Sequence, residues 1–175
     1  AMQAHPQVAG LQKQGCCTLA NVCSGDDDAG RARRQRAADA GAIEAIVAAM
    51  QAHPQAAGLQ EQGCRALGNV CCGDDAAGSA RKQRAADAGA IEAIVAAMQA
   101  HPQVAGVQQN GCLAMARVCS GTDDTGLARI QRAADAGGIE VVVAALQAHP
   151  QVARVQQNGC GVLGNVCFGS DAAAF

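Results

Sequence analysis

The 21 residues QRAADAGAIEAIVAAMQAHPQ occupy positions 35–55 and recur, letter for letter, at 83–103. His5, His53, His101 and His149, each followed by proline, carry the same 48-residue spacing along the chain. Aligned at that period, residues 41–88 and 89–136 differ at only 14 of 48 positions. A repeat of this length is one supersecondary unit laid down in tandem: each copy is too thin to bury its own apolar face and is completed by its neighbours. The repeat therefore constrains the fold more than any single motif does.

Within the unit, GAIEAIVAAMQAHP puts Ile43, Ile46, Val47 and Met50 at i, i+3, i+4 and i+7, the apolar stripe of a helix of about ten residues. Gly41 opens it and His53–Pro54 closes it, with Pro54 expected as an early residue of the next helix. That next helix, QAAGLQEQGCRALGNVCCG, brings Leu59, Gly63, Cys64, Leu67, Val70 and Cys71 to one face and ends at Gly73. Gly63 and its counterparts Gly15, Gly111 and Gly159 fall on the buried face. Each costs about 1 kcal/mol against alanine, which predicts the close approach of a neighbouring helix. Between units, GDDDAGRARRQRAADAG reads as an acidic loop and then a shorter basic helix. The unit is thus a short, a medium and a long helix.

The segment AGAIEAIVAAM followed by LQEQGCRALGNVC resembles the armadillo repeat, and the likeness covers the whole chain. It implies an all-α fold, a right-handed α-α superhelix of three-helix repeats (an armadillo solenoid) with a 48-residue period. The copies exceed the usual ~42 residues, with the excess in the two loops, as in the subgroup of armadillo-repeat-containing protein 6. The expected organisation is a single array: a partial repeat at 1–25, full repeats at 26–73, 74–121 and 122–169, and the stub of another at 170–175. Neither end carries a polar capping repeat, so the chain is expected to be a piece of a longer array or to stack on other copies through its ends.

Composition narrows the chemistry. There is no Trp or Tyr, and Phe occurs only at Phe168 and Phe175, so the core must be built from small and aliphatic side chains. A net charge of −2 gives no bulk attraction to nucleic acid, and none is expected as a partner. No apolar run approaches the ~20 residues of a membrane span, and no signal segment opens the chain, so an intracellular protein, cytoplasmic or nuclear and without a membrane partner, is expected. The ten cysteines follow the repeat, in pairs such as Cys16/Cys23 and Cys64/Cys71. Seven residues of helix span ~10 Å, too far for a bridge or a shared metal, so they read as buried spacers. No metal site or cofactor is expected. The four histidines read as hydrogen-bonding residues at helix ends. The basic helix RARRQR, whose Arg33 and Arg36 recur at Arg81/Arg84 and Arg129/Arg132, has its arginines beside Asp26, Asp27, Asp28 and Asp39 and reads as a solvated, salt-bridged face. Nothing resembles a nucleophile with its base or a paired-carboxylate site, so no catalysis is expected.

The positions that escape copying lie on the third helix: Lys13/Glu61/Gln109/Gln157, Cys17/Arg65/Leu113/Gly161, Asn21/Asn69/Arg117/Asn165 and Ser24/Cys72/Ser120/Phe168. Their spacing of i, i+4, i+8 and i+11 makes one stripe opposite the core. Drift of unconstrained surface would produce such a stripe. The armadillo resemblance implies more, because there the third helices line a concave groove, and in importin-alpha-type proteins asparagines matching Asn21, Asn69 and Asn165 hold an extended peptide. A carboxamide both donates and accepts, which suits a peptide bond. The tryptophan of that family is replaced by Cys17, Arg65, Leu113 and Gly161, so recognition of nuclear-localisation signals is not expected. Arg117 interrupts the ladder, and Arg154 enters where the other copies have glycine. The expected function is a non-catalytic scaffold or adaptor. Its candidate groove residues are Lys13, Asn21, Glu61, Arg65, Asn69, Gln109, Arg117, Arg154, Gln157 and Asn165. The expected ligand is a protein segment or extended peptide of acidic character. The alternative is a structural array that self-associates end to end.

Overall fold

A computed structural model describes residues 2–172, with side chains described through residue 166. The described residues form ten helices and no strand: α1 (Ala9–Val22), α2 (Asp28–Asp39), α3 (Ala42–Ala52), α4 (Ala57–Val70), α5 (Ala76–Asp87), α6 (Ala90–Ala100), α7 (Ala105–Val118), α8 (Asp124–Asp135), α9 (Gly138–Ala148) and α10 (Ala153–Ala172). Packing recurs between helices three apart in order. The third helices of successive units, α1, α4, α7 and α10, form one closely packed row; the second helices α3, α6, α9 and the first helices α2, α5, α8 meet their counterparts more lightly. The result is a stack of three-helix units consistent with a helical solenoid.

Local chemistry places each helix end. Asp27, Asp75 and Asp123 cap the first helices by accepting from the backbone N–H of Gly30, Gly78 and Gly126 at 2.8, 2.7 and 3.0 Å, which satisfies donors that a helix start leaves free. The first helix then turns into the second through Gly41, Gly89 and Gly137 at φ 81°, 84° and 84°, left-handed values that glycine adopts without strain. Ile43, Ile46, Met50, Leu59 and Leu67 are at most 2% exposed, at the centre of one continuous core.

Several details differ from the sequence reading. The first helix of the complete units has 12 residues and the second 11, so the basic helix is not the shortest. Pro54 does not enter α4: the amide of Ala56 closes a turn onto the carbonyl of His53 at 3.1 Å, and the helix starts after it. The buried glycine of the third helix admits a side chain rather than a neighbouring helix. A Cβ on Gly63 would lie 2.6 Å from both Cγ and Sδ of Met50, and Gly111 faces Met98 in the same way. Gly68 does meet the backbone of a neighbouring third helix: its Cβ would lie 3.4 Å from Cα of Ala114. Finally, α10 runs unbroken to Ala172, across the boundary expected at 169/170; residues 173–175 of the expected stub lie outside the described residues.

The second helices end inside the stack, and one polar residue per unit satisfies them. Gln60 is 1% exposed, and its side-chain amide donates to the carbonyls of Met50 at 2.8 Å and His53 at 2.9 Å. Gln12, Gln108 and Gln156 repeat the arrangement. Removing such a donor orphans buried acceptors. Gln60→Leu, similar in size, should therefore lower stability by about 2–3 kcal/mol, whereas exposed Gln55→Leu should stay within about 0.5 kcal/mol; urea denaturation of the two variants checks this.

Candidate binding surface on the third helices

The candidate residues lie along the row of third helices. Lys13 and Asn21 on α1 are exposed, as are Arg154 and Gln157 on α10; Glu61, Arg65 and Asn69 on α4, Gln109 and Arg117 on α7, and Asn165 on α10 are half-buried. The array brings them together across unit boundaries. Side-chain nitrogens at the ladder position reach back to a carbonyl on the preceding third helix: Asn69 Nδ2 to Ala20 at 2.8 Å, Arg117 Nη1 to Gly68 at 3.0 Å and Asn165 Nδ2 to Ala116 at 3.1 Å. The asparagine oxygens are engaged as well. Asn21 Oδ1 accepts from Arg65 Nη2 at 2.9 Å, and Asn69 Oδ1 accepts from Arg117 Nη1 at 3.0 Å. The carboxamide of Asn69, assigned from sequence to a two-sided grip on a peptide, thus holds helix to helix on one side and positions a guanidinium on the other.

The arginines of this surface keep donors in reserve. Arg117 spends only Nη1, leaving Nε and Nη2 of its five N–H donors. Lys13, Arg65, Arg117 and Arg154 take part in no ion pair among the described residues. Glu61 lies on the same row, beneath the next unit: a Cβ on Gly106 would stand 2.7 Å from its Cδ.

The basic first helix is the expected solvated, salt-bridged face only in part: on α2 Arg31, Arg33 and Arg36 are exposed and Arg31 pairs with Asp28, but later copies turn inward. Arg81 and Arg129 are 3% and 2% exposed. Arg81 donates through Nε to Val70 at 2.9 Å, through Nη2 to Cys72 at 2.9 Å, and through Nη1 to Oε1 of Gln35 in the preceding unit at 2.9 Å. Arg129 does the same with Val118, Ser120 and Gln83. A cation at a helix C-terminus also meets the negative end of the helix dipole. Arg84 pairs with Glu44 at 2.5 Å and Arg132 with Glu92 at 2.6 Å, again between units, while Arg34 and Lys82 pair with Asp26 and Asp74 of the acidic loops at 3.7 and 3.0 Å. The histidines link units too: Nε2 of His53, His101 and His149 sits 2.7, 2.8 and 2.8 Å from the carbonyls of Pro6, Pro54 and Pro102. Sequence reasoning missed the roles of Gln60 and Arg81. Their signal was present as polar residues copied without change beside the core stripe, at Gln12/Gln60/Gln108/Gln156 and Arg33/Arg81/Arg129.

The cysteines through Cys160 are free thiols, and most are buried. Burial pushes the thiols of Cys16, Cys64, Cys71, Cys112 and Cys119 up to about 12, which suppresses the thiolate that would react or bind metal. Among the described residues no group of His, Cys, Asp or Glu side chains is arranged to hold a metal ion, and no helix is long and apolar enough to cross a membrane. No protein-family model, curated protein or solved structure matches this chain.

Two expectations follow from this chemistry. Because the folded state holds these thiol protons more tightly, their contribution to stability is complete below the ordinary value of 9.0 and is lost as the pH rises from there toward about 12. Each such thiol adds a slope of about 1.4 kcal/mol per pH unit, so Cys64→Ala should flatten the alkaline fall in stability between these limits, as read from denaturation at a series of pH values. Arg129→Met, which keeps the stem but orphans the carbonyls of Val118 and Ser120, should cost about 3 kcal/mol. Exposed Arg31→Met should leave stability nearly unchanged in the same assay.

Proposed function

We propose that the chain is a non-catalytic scaffold of the armadillo type that holds an extended protein segment of acidic character along its third helices. The observation that carries this reading is the set of four cationic side chains, Lys13, Arg65, Arg117 and Arg154, on one row of helices without a carboxylate partner among the described residues. The arginines of α5 and α8 are treated differently: Arg81 and Arg129 are consumed by backbone carbonyls, and Arg84 and Arg132 by glutamates. The tighter contact between third helices than between first or second helices supports a stack that curves toward this row, with the cations on its inner side.

The asparagines then act as positioning residues. Asn21 and Asn69 hold the guanidinium groups of Arg65 and Arg117 in place before a ligand arrives, which reduces the ordering cost of binding. A carboxylate is the natural complement, because guanidinium offers paired donors in a fixed fork.

Selection from a random-peptide display library against the full chain tests the reading. Enriched peptides should be acidic. For a selected peptide, Arg117→Glu should weaken binding at least tenfold, and more at low than at high salt, since exposed charges are screened. Asn69→Ala should weaken it by about 1–2 kcal/mol through the released arginine, with a denaturation curve recorded alongside to separate the loss of its bond to Ala20. The groove reading is wrong if no peptide is enriched, or if binding ignores both Arg117→Glu and Arg65→Glu.

A further inference from the structure

One side chain of the variable row crosses from each third helix onto the first turn of the next. Lys13 of α1 lies over α4, where a Cβ on Gly58 would stand 3.2 Å from its Nζ, and Glu61 of α4 lies over α7, where a Cβ on Gly106 would stand 2.7 Å from its Cδ and Oε2. In the third copy the residue is Gln109, and the glycine of the following helix is replaced by Arg154. The array thus accommodates a cation, an anion or a neutral amide at one repeated position. A carboxylate is favoured at a helix N-terminus, but lysine in the equivalent place on α4 shows that the fold requires none there. The charge of Glu61 is therefore independent of the packing that holds its side chain.

That charge has no counter-ion. Arg65 follows Glu61 by four residues on α4, the order in which a glutamate and a cation pair best along a helix. The two diverge instead: Arg65 reaches back to Oδ1 of Asn21 on α1 at 2.9 Å, while Glu61 reaches forward onto α7. Glu61 is half-buried and enters no ion pair among the described residues. It is also the single carboxylate among the ten candidate groove residues, set between Lys13 and Arg65 on one side and Arg117 and Arg154 on the other.

We infer that Glu61 sets the charge order of the segment bound along this row: acidic residues face Arg65 and Arg117, and a lysine or arginine of the segment faces Glu61. The inference rests on the reading of the third helices as an acidic-segment surface and adds a restriction to it. A uniformly acidic segment would bring like charge onto a half-buried carboxylate and is discriminated against. Reach favours a long basic side chain as the complement. Glu61 stands one turn of α4 from Arg65 and two from Asn69, about 6 and 12 Å along the axis, and a segment running at the level of Arg65 spans the remaining turn with the flexible stem of lysine or the fork of arginine.

A random-peptide display library panned in parallel on the full chain and on its Glu61→Lys variant tests this. Lysine already lies across Gly58 in the equivalent place, so the variant should melt as the parent does. Peptides enriched on the parent should carry one lysine or arginine at a fixed place among aspartates and glutamates; those enriched on Glu61→Lys should carry an acidic residue at that place. For one parent-selected peptide, labelled with fluorescein and titrated, Glu61→Lys should weaken binding at least tenfold, and glutamate in place of the peptide's basic residue should restore it. Glu61→Gln, which introduces the residue of the third copy, should weaken the same peptide at least threefold. Enrichment of acidic peptides without a fixed basic residue, or titrations indifferent to both Glu61 variants, overturns the role of Glu61 and leaves the acidic-segment surface standing. Enrichment of no acidic peptide overturns both.

Discussion

The carbonyl groups at the C-terminal ends of the second and third helices lie between units, several of them buried, and the stack depends on finding donors for them. A helix leaves its last carbonyls unpaired, and burying them unpaired costs a large part of what a small core contributes. Here each second helix is closed by a buried glutamine, such as Gln60 on the carbonyls of Met50 and His53, and each internal third helix by an arginine from the next unit, such as Arg81 on Val70 and Cys72. The second device works only if the next unit is present, which ties the ordering of one unit to that of its neighbour.

The rest of the packing follows from how thin the layers are. With no Trp or Tyr and with alanine at many helix contacts, the units approach closely, and larger side chains need prepared seats. Met50 finds one over Gly63, and α4 approaches α7 where Gly68 meets Ala114. These two glycines do different things, although both sit inside one helix: the first admits a side chain and the second a backbone.

The same constraint explains how the third helices can vary without losing the fold. The ladder position has one structural obligation, an N–H directed at a carbonyl of the preceding helix. Asn69 and Arg117 both meet it, at 2.8 and 3.0 Å. Asparagine adds an uncharged acceptor, which at residue 69 accepts a hydrogen bond from Arg117, whereas arginine has donors and charge left over, so the exchange at residue 117 keeps the staple and changes what the surface offers. A position can therefore be structural in its first hydrogen bond and free in the remainder of its side chain.

Periodicity alone determined the unit, its three helices, the apolar stripe of Ile43, Ile46, Val47 and Met50, and the burial of most cysteines, because these depend on local spacing and on which side chains water rejects. The row of variable residues was equally legible, since comparing copies within one chain separates shared packing demands from free surface. Only the tertiary structure decided the direction of the polar side chains. Arg81 and Arg84 lie three residues apart on one basic helix, yet one is buried on carbonyls and the other half-exposed on Glu44. Asn69 looks like a ligand-binding amide until the carbonyl of Ala20, 49 residues earlier, comes within 2.8 Å. A hydrogen bond is satisfied by whatever partner the stacking brings near, and that partner lies one unit away, beyond the reach of any local pattern.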